Sequence, residues 1–148
     1  MVIFPPDVVY RPEELSRMSG IDYAFMQRML QGGCPRTEAG LSHNDFLRWT
    51  KEHYLEALPE YDVGTLPRDG HFSELEEYWI LAPVTEWAIH DGGEWLAVGG
   101  PGVDGISWAV IKNQRGLFAF YPVERDFVAV ADNGPDLISK WTSGMLSV

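Results

Sequence analysis

Residues 94–144 read EWLAVGGPGVDGISWAVIKNQRGLFAFYPVERDFVAVADNGPDLISKWTSG. Four short apolar runs alternate here with turn signals: Trp95–Val98, Ile106–Ile111, Leu117–Tyr121 and Phe127–Ala131. Gly99–Gly105, Asn113–Gly116 and Pro122–Asp126 separate them. Runs of this length, rich in β-branched and aromatic residues, predict strands joined by tight loops. Gly134 to Trp141 follows as a helix with Pro135 at its first position and Gly144 as its stop. Strand period places Ile106, Trp108 and Val110 on one face and Ser107, Ala109 and Ile111 on the other. Leu117–Tyr121 and Phe127–Ala131 are apolar at almost every position, the pattern of strands buried on both faces. Leu137, Ile138 and Trp141 are the helix residues that would cover one side of the sheet.

Working outward, Asp91-Gly92-Gly93 turns the chain into the first run. Val84–His90 fits either a strand or a helical turn, Tyr78–Leu81 fits a strand, and Ser73-Glu74-Leu75-Glu76 is a capping box that predicts a short helical turn. The first part of the chain reads as helical. Pro12-Glu13-Glu14 opens one helix, Asp22–Leu30 forms a second with Phe25, Met26, Met29 and Leu30 inward, and Ser42 with Asp45 opens a third that runs to Leu58. Tyr61–Gly70 is a loop. The expected fold is a single α+β domain over residues 1–148. Residues 1–60 are mainly helical, and residues 72–148 hold a largely antiparallel sheet plus the C-terminal helix.

The chain has 148 residues, 45% of them apolar and 13% aromatic, enough for a core and too apolar for disorder. Its net charge is −11, spread evenly: residues 1–74 carry 7 basic and 12 acidic groups, so −5, and residues 75–148 carry 4 and 10, so −6. Such a surface repels nucleic acid and draws in basic partners. No apolar run has the length of a membrane span, the first residues lack a basic flank and a secretory apolar run, and Cys34 has no second cysteine to pair with. A cytoplasmic location is expected.

No catalytic set stands out, and neither cofactor nor metal is expected. Gly100–Gly105 matches G-x-G-x-x-G, but a strand follows it where a dinucleotide site needs a helix. His43, His53, His71 and His90 have no metal-motif spacing, and Cys34 reads as a small buried residue. Glu13 to Leu30 has helix-turn-helix spacing about Gly20, with Ser16 at the crossing. The second helix offers only Asp22, Tyr23, Gln27 and Arg28 to a groove, so DNA-binding or phage-type regulation is the alternative function rather than the preferred one.

Leu75 to Trp141 resembles the SUKH superfamily, which includes yeast cell-wall assembly regulators and many bacterial immunity proteins. The resemblance rests on Tyr78–Leu81, Trp95–Gly99, the glycine-rich Gly100–Gly105 with Asp104, Ile106–Ile111, Gly116 before Leu117–Tyr121, and Val128–Asp132 leading into the last helix. It covers about half the chain in short motifs. Leu58-Pro59 and Leu66-Pro67 both fit the family's Leu-Pro pair. The resemblance implies a central sheet flanked by helices and a non-enzymatic, immunity-type role: binding a cognate toxin and blocking its active site or substrate access. Acidity suits a basic toxin that acts on nucleic acid. Asp91, Glu94, Asp104, Glu124 and Asp126, in loops joining successive strands, are the candidate partner-binding residues. Loops at opposite ends of a sheet cannot all reach one partner.

Overall fold

A computed structural model describes residues 3–148. In chain order its elements are β1 (Val9–Tyr10), α1 (Pro12–Ser19), α2 (Tyr23–Gln31), β2 (Leu41–Ser42), α3 (His43–Ala57), β3 (His71–Ser73), β4 (Tyr78–Leu81), β5 (Ala88–His90), β6 (Trp95–Gly99), β7 (Ser107–Ile111), β8 (Leu117–Tyr121), β9 (Asp126–Ala131) and α4 (Gly134–Thr142).

Each helix starts where its capping chemistry lies. Pro12 opens α1 with Glu13 and Glu14 in the first turn, and Gly20, at φ 79°, closes it by donating to the Ser16 carbonyl. The Asp22 carboxylate caps α2 through the Phe25 N–H, and Ser42 Oγ caps α3 through the Asp45 N–H at 3.3 Å. At α4 the cap is Asn133, whose side chain accepts the Asp136 N–H at 2.8 Å. Gly134 therefore takes the first helical position and Pro135 the second, one place later than the sequence suggests.

All strand pairings are antiparallel. The main sheet runs β3-β4-β6-β7-β8-β9, and β5 also pairs with β6. β4 meets β6 at Leu81 opposite Gly99, while β5 meets it from Ala88 opposite Ala97 to His90 opposite Trp95. The two thus share one side of β6, joined by a 3-10 turn at Val84–Glu86. Both readings of Val84–His90 hold, in successive halves of the segment. Gly99 is required where β4 crosses: at φ 153°, a Cβ there would lie 2.3 Å from the Ile80 carbonyl oxygen.

The helices pack on one face of the sheet. Leu15, Phe25, Met29, Phe46, Trp87, Trp108 and Leu137 are fully or almost fully buried in that core. Burial of each such side chain contributes about 1.5–3 kcal/mol. Trp141 of α4 meets Trp108 edge-to-face at 5.8 Å, and Trp87 Nε1 donates to the Ala82 carbonyl at 3.0 Å. The opposite face carries a second cluster made of strand residues alone: Trp95, Ala109 and Phe120, with Ala97, Ile111, Phe118 and Phe127 against them.

Two expectations fail. Ser73–Glu76 is no helical turn. Ser73 Oγ does accept the Glu76 N–H at 3.3 Å, but the chain turns back into β4, because Glu77 takes a left-handed φ of 54°. A capping bond closes a hairpin as well as it opens a helix. Nor is β9 buried on both faces. It is the terminal strand, and Val128 and Ala129 stay exposed although their residue types suit a core. The strands β1, β2 and β3 are too short to show a period in the sequence.

Candidate protein-binding surface

Sheet order gathers three loops at one end of the molecule. The β3–β4 hairpin tip (residues 74–77), the β6–β7 loop (100–106) and the β8–β9 turn (122–125) all leave the same end of antiparallel strands. Neighbouring loops touch. The Tyr78 ring lies over Gly102, at φ 82°, where a Cβ would stand 3.0 Å from Tyr78 Cζ. Gly105 faces Pro122, where a Cβ would stand 3.5 Å from Pro122 Cγ. Trp141 Nε1 donates to Glu76 Oε2 at 3.3 Å, bringing the end of α4 to the same hairpin.

This end exposes apolar side chains that could have been buried elsewhere. Leu75 is 94% exposed and Val123 is 88% exposed, and Phe72, Tyr78, Trp79 and Val103 are exposed as well. Phe72 and Trp79 meet edge-to-face at 5.3 Å. Single exposed apolar residues are ordinary, and several of them on adjoining loops and strand ends make this end a candidate contact surface. Glu74, Glu76, Glu77, Asp104, Glu124 and Asp126 surround them, with Arg125 as the one basic residue of these loops. Glu77, Asp104 and Arg125 each hold φ at 54°, so every one of the three turns places a charged side chain on left-handed backbone.

The five sequence candidates divide. Asp104 lies in the middle loop, and Glu124 and Asp126 flank the outer turn. Asp91 starts from the opposite end but turns onto the outer face. Its carboxylate accepts Trp95 Nε1–H at 2.9 Å and stands 3.5 Å from Arg125 Nη2, linking it to the β8–β9 turn. That ion pair is well exposed and contributes little to stability. Glu94 stays at the far end, where its carbonyl accepts the Lys112 N–H at 2.9 Å. Sequence reasoning passed over Leu75, Trp79, Val103 and Val123. For Leu75, Val103 and Val123 the one signal is a bulky apolar residue at a turn position, whereas Trp79 lies within β4 and gives none.

The outer face adjoins this end through Phe127, which follows Asp126. Trp95 stacks on His90 at 4.3 Å, lies 4.5 Å from Phe120, and meets Phe127 edge-to-face at 5.6 Å. Small residues, Ala97 and Ala109, leave room for the indole to lie across the strands. Trp95 is 4% exposed and Phe120 8%, so this cluster is a firm base under the acidic rim.

The remaining chemical candidates are occupied by structure. Gly100–Gly105 leads into β7, and Gly100 is packed so that a Cβ would lie 2.6 Å from the Ile106 carbonyl oxygen. The Cys34 thiol is buried, and its pKa is pushed up to about 11 by burial and the charge of Asp45, away from nucleophile duty. His53 stacks on Trp49 and bonds Glu56, and His43 stacks on Phe4 at 3.9 Å. Burial lowers the His43 pKa. Among the described residues no three His, Cys, Asp or Glu side chains converge as a metal site would require.

In the helix pair, Leu15, Ile21, Met26 and Met29 are buried, and Ser16 Oγ donates to the Ile21 carbonyl at 2.6 Å. Arg28, the one cation of α2, is held by Glu60, and Tyr23 and Gln27 bond each other at 2.6 Å. No helix of the described residues is long and apolar enough to cross a membrane. Compared with protein-family models, with curated proteins and with solved structures, the chain matches none.

Proposed function

We propose that this chain is a non-enzymatic binding protein of the immunity type, which neutralises a basic toxin by direct protein–protein contact. The observation that carries this reading is the end of the sheet where Leu75, Tyr78, Trp79, Val103 and Val123 stand exposed among six carboxylates. Buried aromatic and aliphatic anchors hold a complex, while complementary charge speeds its encounter and excludes wrong partners. A toxin that acts on nucleic acid needs a basic surface for phosphate, and an acidic, anchor-bearing surface competes for it. The SUKH resemblance implies a central sheet flanked by helices, and the antiparallel sheet with its helices on one face is compatible with it only at that coarse level.

The test is co-expression with the products of neighbouring genes. Rescue of growth from one of them, with co-purification of the two proteins, is the expected result. If no neighbour is toxic, rescued or co-purified, the immunity reading fails.

A further inference from the structure

The acidic end adjoins the free edge of the sheet. Among the described residues β9 pairs only with β8, so half of its backbone donors and acceptors point away from the sheet. The other edge, β3, is only 3 residues long and irregular, with a register shift between His71 and Phe72. β9 is 6 residues long and reads DFVAVA, without lysine or proline. Val128 is 45% exposed. Edges that must stay unpaired are usually shortened, charged or interrupted. Between Phe127 and Ala131 this one is neither shortened nor charged, and its one interruption is near its end, where the register shift leaves Val130 as an extra residue between Ala129 and Ala131. A second guard is at the start, where Asp126 Oδ1 accepts the Phe127 N–H at 2.9 Å.

We propose that the β9 edge takes an extended segment of a basic partner protein by strand addition. Two further observations define the segment. Asp126 begins the strand, Glu124 lies just before it and Asp132 just after it, while the intervening Arg125 is turned to Asp91, so acids bracket an uncharged middle and fit a segment with lysine or arginine at both ends. A cleft of about 340 Å³ opens beside the edge, lined by Arg115, Leu117, Phe118, Ala129, Ala131 and Asp132. It lies at the register shift between Leu117 and Phe118. Strand addition gains affinity from main-chain bonds and selectivity from such side-chain pockets. A second copy of the chain is the wrong occupant, because antiparallel pairing of two β9 strands sets the Asp126 end of one against the Asp132 end of the other, between molecules of charge −11 each.

The proposal deepens the protein-binding reading, and its test needs no toxin, so either can fail alone. The probe is a synthetic ten-residue peptide with two lysines at each end and alternating threonine and valine between. At low salt it binds and slows amide exchange at residues 127–131. A central proline abolishes binding, glutamate ends weaken it by about tenfold or more, and Ala129→Lys weakens it by about as much. The peptide comparisons use the unaltered protein, so they stand even if the variant misfolds. Unchanged exchange along β9, equal binding of the proline peptide, protection confined to residues 74–79, or a peptide-free dimer through β9 would each overturn the proposal.

Discussion

Asp22 and Ile89 lie 67 residues apart, and a single oxygen joins them: Asp22 Oδ2 accepts the Ile89 N–H at 3.0 Å. The same oxygen accepts the Phe25 N–H at 3.0 Å, so one carboxylate both caps α2 and fixes it to β5. Asp22→Ala removes the cap and leaves the Ile89 N–H unpaired, a loss of about 2–3 kcal/mol in denaturant unfolding. Asp22→Asn keeps an acceptor and loses about 1 kcal/mol or less.

Glu77 holds φ at 54° in the β3–β4 turn. Glycine adopts that conformation without the clash, though it gives up some entropy on folding. Glu77→Gly is expected to stabilise the protein by about 0.5–1 kcal/mol, and Glu77→Val to destabilise it by about 1–2 kcal/mol. Thermal melts of the two variants check the sign.

Glu60 links acid to stability. Burial raises its pKa, but the Arg28 hydrogen bond, a backbone hydrogen bond and the charges of Arg28 and Lys112 outweigh it, and the net shift is downward from 4.5. A carboxyl lowered on folding contributes stability above its unfolded value and loses it as pH falls through the folded one. Glu60→Gln is therefore most destabilised, relative to the parent, near neutral pH. The difference shrinks below about pH 4.5 in urea unfolding. A difference that grows in acid would reverse the assignment.

Cys34, with its pKa at about 11, reports on unfolding. At pH 8 about one thiol in a thousand is ionised, so a disulfide reagent reacts slowly with the native protein and rapidly once denaturant exposes the thiol. Fast reaction of the native protein would show that the site opens.

Much of the sheet was legible because β6 to β8 carry largely apolar runs between glycine and proline turns, and the helices because Pro12 with its acids, Ser42 with Asp45, and Pro135 mark their starts, although the Asn133 cap shifts the last by one residue. Two kinds of feature were not. Ser73 makes the same bond in a hairpin that it would make at a helix start, and only the pairing of Phe72 with Trp79 decides between them. The apolarity of β9 says nothing about its place in the strand order, which left it at an edge. The acidic loops could be named from the sequence, but their neighbours could not. Tyr78 over Gly102, and Pro122 beside Gly105, are consequences of strand order across the sheet.

The decisive measurement compares the parent with the triple variant Leu75→Ser, Trp79→Ser, Val123→Ser in binding to the toxin that the parent neutralises. Leu75 and Val123 are solvent-facing and should each change folding stability by about 0.5 kcal/mol or less, whereas Trp79, packed edge-to-face on Phe72, should cost about 1–2 kcal/mol. Affinity should drop by about a hundredfold or more, with rescue lost. A stable variant that binds and rescues as well as the parent would remove this end of the sheet as the docking surface.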